Sequence, residues 1–230
     1  MPFPFYFDMS IIVLIPAMIF AAWASANVNS TYKKFSKNAT VSHMTGLDAA
    51  RRILDAHGLQ HVKIEQIAGE LSDHFDPRAN VLRLSKAVYG GSTVASVGIA
   101  AHEAGHAVQY AVGYAPMKLR SAIIPVTNIG STLAFPIFFV GLIFSYYPLA
   151  TFGIILFSLT AIFQAVTLPV EFNASRRAMV ALEDCNVLTS DELKGARKVL
   201  RAAALTYVAA LASAIAQVLR LVLIMNRNRD

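Results

Sequence analysis

Long apolar stretches constrain this chain more than any other feature, because a bilayer core about 30 Å thick requires roughly 20 consecutive apolar residues of a helix that crosses it. The first runs from Ser10 to Val28 without a charged residue. The next two run from Ala122 to Tyr147 and from Leu149 to Leu168, and the last from Ala202 to Met225, interrupted by Gln217 and Arg220. Pro148 predicts a tight hairpin between the middle two. Pro136 is expected to kink the helix that holds it, since its missing N–H removes a backbone hydrogen bond. Hydrophobic residues make up 56% of the chain and charged residues only 15%, which excludes a wholly soluble protein and makes the lipid bilayer an expected partner.

The polar residues lie between these runs. Lys33, Lys34, Lys37, Arg51, Arg52, Lys63, Arg78, Arg83, Lys86, Lys118 and Arg120 fall before Ser121, and Arg176, Arg177, Lys194, Arg197, Lys198 and Arg201 fall between Pro169 and Ala202. Basic residues gather on the cytoplasmic side of membrane proteins, so both polar regions are expected there. Met1 to Asp8 carries no Lys or Arg, unlike a cleavable signal, and predicts an uncleaved anchor. Arg227 and Arg229 leave two options: a tolerated short tail, or a last helix that does not fully cross. The net charge of +6 comes without a basic stripe or nucleic-acid module, so nucleic acid is not an expected partner. Cys185, the sole cysteine, excludes an internal disulfide and reads as a small hydrophobe at a helix end.

Within the first polar region the pattern Gly46–His57 predicts a helix stopped by Gly58. Val62–Ile67 is β-prone, Leu71–Pro77 reads as a turn, and Asn80–Ser85 reads as a short strand. That strand is a candidate edge for pairing with an extended peptide. Ser92–Val112 predicts a helix of small residues, and Ala174–Arg201 predicts a polar helix.

The small-residue helix carries His102-Glu103-Ala104-Gly105-His106. Residues four apart on a helix point about 40° apart around its axis, so both imidazoles can reach one Zn²⁺. Glu103 lies beside them, positioned to take a proton from an attacking water but angled away from ligation. From Ser92 to Gln109 these three are the only ionisable side chains. An apolar helix rarely buries such groups without a partner. A catalytic zinc takes three protein ligands and leaves one position open. His43, His57, His61 and His74 are all upstream, and no His-x-x-Gly-x-x-His continuation follows His106. Glu171 is the outstanding downstream candidate; its other reading is a glutamate that complements a helix dipole at its start.

The segments Ser96–Gln109, Leu71–Ser85, Thr167–Ser175 and Ala203–Ala210 together resemble the YugP-like bacterial membrane zinc metallopeptidases, over nearly the whole chain. A more distant likeness is to HtpX-like membrane peptidases. The resemblance implies His102, His106 and Glu171 as metal ligands and Glu103 as the catalytic general base. Ser175 stands where the HtpX-like pattern has an aspartate. It reads equally as a hydroxyl supporting a ligand or as small-residue packing. His74, Arg176 and Tyr207 are oxyanion-donor candidates by residue type alone, and Asn173 and Gln109 read as helix-surface or packing residues.

The expected fold is mainly α with a small β element: a multi-span membrane protein with a zincin-like (gluzincin) catalytic region on the cytoplasmic side. Residues 1–28 would be the anchor, 29–121 the catalytic region, 122–168 a transmembrane hairpin, 169–202 the helix carrying the third ligand and 203–230 a last membrane helix. The expected activity is zinc-dependent hydrolysis of peptide bonds in membrane or membrane-proximal proteins at the inner membrane of a bacterial cell. An intramembrane site-2-type protease and a non-catalytic protein with a structural zinc are the alternatives. Oligomeric state is not legible.

Overall fold

The computed structural model describes residues 9–229; the uncleaved N-terminus expected at Met1–Asp8 lies outside them. The chain is mainly helical, with a small sheet. A short 3₁₀ segment, Met9–Leu14, leads into α1 (Ile15–Phe35), followed by α2 (Gly46–Ala56), β1 (Lys63–Ile67), β2 (His74–Asp76) and β3 (Val81–Ser85). Then come α3 (Lys86–Tyr89), α4 (Val94–Ala111), α5 (Ala115–Ile143), α6 (Tyr147–Asp184) and α7 (Ser190–Arg229). Four helical segments are long and apolar enough to cross a membrane: Ser10–Phe35, Ala115–Ile143, Tyr147–Asp184 and Ser190–Arg229. α5 runs as one helix through Pro125 and Pro136.

Two compact units emerge. One comprises Ala24–Leu119 and Thr167–Thr206, the other Met1–Trp23, Arg120–Val166 and Tyr207–Asp230. The second has helices and the turn between α5 and α6, with no strand, among its described residues. Its α5–α6 hairpin packs closely because glycines face it. A Cβ on Gly141 would meet the Ala150 backbone nitrogen at 2.3 Å, and one on Gly153 would meet that of Phe138 at 2.7 Å. Phe138 is fully buried there, while Ile129, Phe139, Ile143, Phe152 and Ile155 remain exposed, as suits helices whose solvent is hydrocarbon. Arg220, the charge inside the last apolar run, donates from Nε to the Ser10 hydroxyl at 3.4 Å.

In the first unit α4 is the central element. Its small side chains let three helices approach it. A Cβ on Gly105 would meet the Ala174 carbonyl oxygen of α6 at 2.7 Å. Gly98 faces Ala196 of α7, and Ala100 faces Gly46 of α2. α2 begins with a capping box, in which the Thr45 side chain accepts from the Asp48 N–H and Asp48 accepts from the Thr45 N–H, satisfying donors that a helix start leaves free. It buries Ala49, Ala50, Ile53 and Leu54.

The sheet has the order β1-β3-β2, with β1 parallel and β2 antiparallel to β3. This corrects two expectations. His74–Asp76, within the stretch read as a turn, is a strand, held to β3 by Asp76 accepting from the Arg83 guanidinium at 2.7 Å. β3 itself is not an edge: both its sides are taken by β1 and β2, and Leu82 and Leu84 are fully buried. Along Val81–Arg83 it therefore offers no open edge to an extended peptide.

The polar stretch Ala174–Arg201 is likewise not one helix. Its first part continues α6, the chain turns at Asn186 with positive φ, and its remainder begins α7. Thr189 and Glu192 make the stop and restart: Glu192 accepts from the Thr189 N–H at 2.7 Å, and Thr189 Oγ1 accepts from the Glu192 N–H at 3.5 Å. The same carboxylate accepts from the Val41 N–H at 2.6 Å.

Candidate metal centre

Helical spacing sets the first half of the site. α4 starts at the N-cap Thr93, whose hydroxyl accepts from the Ser96 N–H, and carries His102, Glu103 and His106 toward its middle. The two imidazole rings stand edge to face, 4.7 Å between centroids. The second half comes from α6. Glu171, only 3% exposed, directs Oε2 to 3.2 Å from His102 Nε2 and 3.6 Å from His106 Nε2. It sits inside α6 rather than at a helix start, so a dipole role does not explain it.

His102, His106 and Glu171 each offer a ligand atom, and these atoms all lie within 4.8 Å of one another. Ligands about 2.0–2.1 Å from a tetrahedral zinc are separated by about 3.3 Å. The 3.2 and 3.6 Å spacings from Glu171 to the two imidazoles match that edge, and two imidazoles with one carboxylate are a donor set that zinc accepts. The residues present fit a divalent metal.

The nitrogens that would not be ligands are held by side chains. Gln109 Nε2 donates to the Val170 carbonyl at 2.8 Å and to Asn173 Oδ1 at 2.9 Å. A carbonyl only accepts, so the amide nitrogen must face Val170, and Gln109 Oε1 must face His106 Nδ1, 3.0 Å away. Nδ1 then carries the proton and donates it, leaving the His106 Nε2 lone pair for a cation. Arg177 Nε donates to Asn173 Oδ1 at 2.8 Å, which fixes the Asn173 amide in turn. On the other ring, His102 Nδ1 lies 3.2 Å from Ser175 Oγ.

Gln109 and Asn173 are therefore not surface or packing residues. Gln109 is fully buried, and both belong to the hydrogen-bonded support of His106. The signal available in sequence was the three-residue step from His106 to Gln109, which puts both on one helix face. Ser175 touches His102, as its position one turn past Glu171 allowed. Of the other candidates, exposed His74 bonds the Ser72 carbonyl, and exposed Arg176 lines a groove between α6 and α7.

Glu103 is buried, and burial pushes its carboxyl above the usual range; the nearby imidazoles of His106 and His102 oppose the shift, while Glu171 and Asp73 add to it. Asp73 is held by the Ser85 N–H and hydroxyl. Burial disfavours charge on His106, but the hydrogen bond to Glu171 and the adjacent Glu103 outweigh it and raise its affinity for a proton. Two carboxylates facing two imidazoles in a buried site thus attract positive charge, whether as protons or as a cation.

Fold and site together define a helical membrane protein with a His–His–Glu centre able to hold a divalent metal. Residues 10–226 match the family described as "Putative neutral zinc metallopeptidase", and the chain belongs to that family. It is similar to the "Putative membrane protease YugP" of Bacillus subtilis (strain 168), 43% identical over 220 residues that cover 96% of this chain and 98% of that protein. The resemblance noted from sequence is met. No solved structure matches the chain.

Proposed function

We propose that this protein is a zinc metalloendopeptidase that cleaves membrane or membrane-proximal proteins at the cytoplasmic face of a bacterial inner membrane. The observation that carries the proposal is the convergence of His102 Nε2, His106 Nε2 and the Glu171 carboxylate, with buried Glu103 beside them on α4. In this reading His102, His106 and Glu171 hold Zn²⁺. Zinc at such a site supplies Lewis acidity to a carbonyl oxygen and brings the pKa of a water toward about 7.

The protein's own groups do the rest. Gln109 and Ser175 orient the two imidazoles through their Nδ1 atoms. Glu103 takes a proton from the attacking water and delivers it to the leaving amine. Three protein ligands leave one position for the reaction, as catalytic zinc sites require.

The cytoplasmic assignment rests on the basic residues of 29–121 and 169–202. The segments 1–28, 122–168 and 203–230 then serve as anchor, hairpin and last membrane helix around a zincin-like (gluzincin) region.

Zinc content per chain and cleavage of a membrane-protein substrate test the reading together. Glu103→Gln should keep zinc and lose turnover by about 10²–10⁴-fold, the usual contribution of a general base. His106→Ala should lose zinc. Equal zinc in His106→Ala and the parent chain would end the assignment of the centre, and undiminished turnover in Glu103→Gln would end that of the base.

A further inference from the structure

Beside the metal centre, within the same unit, lies a groove of about 830 Å³ between α6 and α7. Phe172, Met179, Val180, Leu200, Ala204 and Leu205 give it an apolar lining, and three arginines, Arg176, Arg197 and Arg201, border it against a single carboxylate, Glu183. All three arginines are exposed. Among the described residues none of them has a hydrogen bond or ion pair, whereas Arg51, Arg83 and Arg177 each bond a neighbour.

Arg197 and Arg201 are four apart on α7, so they share a face, and like charges at that spacing repel. Arg176 joins them from the neighbouring helix. Three cationic groups around one trough give it a local positive potential that attracts anions.

We propose that this groove seats the phosphate headgroup of an anionic phospholipid. Charge complementarity supplies the first argument: the three guanidinium groups suit phosphate oxygens, which guanidinium binds through paired donors. The position of the arginines supplies the second. Arg201 is followed directly by the apolar run 202–225, and Phe172, close after the apolar run that ends at Leu168, lies exposed at 48%, so cation and bare apolar surface adjoin, as a headgroup and its acyl chains require. Basic pockets between membrane helices bind anionic headgroups by this combination. The inference rests on charge and exposed apolar surface rather than on the metal or turnover, although Ser175, which touches His102, also lines the groove.

The test uses the full chain in neutral detergent, with native mass spectrometry reading the lipid retained after adding equal amounts of dioleoyl phosphatidylglycerol and dioleoyl phosphatidylcholine. The parent chain should retain the anionic lipid preferentially. R176Q/R197Q/R201Q should abolish the preference, each arginine contributing about fivefold. The equally neutralised control K33Q/K34Q/K37Q should keep it. The single exposed variant R197Q, with helix content checked by circular dichroism, should show a partial loss and guards against misfolding of the triple variant. Unchanged preference in the groove variants, or equal loss in the lysine control, would overturn the proposal. So would an acidic peptide that occupies the groove while phosphatidylglycerol does not.

Discussion

The two units of this protein solve the same packing problem with different materials. In the helical unit glycines bring α5 and α6 together, and large apolar side chains such as Ile129 and Ile143 are left facing outward. In the unit around α4 glycine again permits close approach, but the groups brought together are polar and buried: Glu103, His106, Gln109 and Glu171. The first arrangement rests chiefly on apolar contact and tolerates variation in what faces outward. The second is a closed set of donors and acceptors, in which each member determines the orientation of the next. An apolar interface degrades gradually when altered, whereas a buried polar network fails when one partner is removed.

The sharpest way to break this contrast is to overfill both glycine contacts. Gly105→Ala should drive its Cβ against the Ala174 carbonyl, separate α4 from α6 and abolish zinc retention. Gly153→Ala, with a similarly close contact to Phe138, should lower thermal stability by about 1–3 kcal/mol while zinc content stays near that of the parent. Metal loss in the second variant and retention in the first would reverse the distinction.

A smaller effect is expected at the network's first link. Gln109→Met keeps the volume but removes the acceptor for His106 Nδ1–H, and zinc affinity should fall by about 10–100-fold. Gln109→Glu restores an acceptor and should recover part of that loss; competition with a metal-binding dye reads both. Ser175→Ala should weaken affinity less than Gln109→Met, because a single hydroxyl gives His102 a weaker hold than the Gln109 amide, itself fixed by two bonds, gives His106.

The smallest effect belongs to the half-buried Asp76–Arg83 pair. The Arg83 guanidinium, with the Ala79 and Arg78 N–H groups, holds the Asp76 carboxyl below its ordinary value. A depressed folded-state pKa contributes stability above the unfolded value, near 3.8, and that contribution is lost as pH falls through the folded value. Asp76→Asn should therefore flatten a slight acid-limb decline in melting temperature and leave the neutral region nearly unchanged.

Local chemistry was readable directly. The apolar runs, the α2 helix, strands near Val62–Ile67 and Asn80–Ser85, and the pairing of His102 with His106 depend on residues a few positions apart. Helix and strand periods act over those distances. The break between α6 and α7 was also written locally, in Thr189-Ser-Asp-Glu192, a capping pattern masked by the polar composition on both sides. The strand His74–Asp76 was hidden because it is short and next to a proline, and only pairing with β3 stabilises it.

What the residue order determined by itself is the set of long apolar helices and the two histidines with Glu103 between them on one helical turn. What tertiary structure alone decided is the rest of the centre: that Glu171 lies 3.2 Å from His102, that Gln109 is locked by Val170 and Asn173, and that β3 is central rather than an edge. The physical reason is range. Side-chain spacing along one helix follows from its 3.6-residue period, but contact between α4 and α6 depends on where Gly105 allows two backbones to meet, and no local rule specifies that.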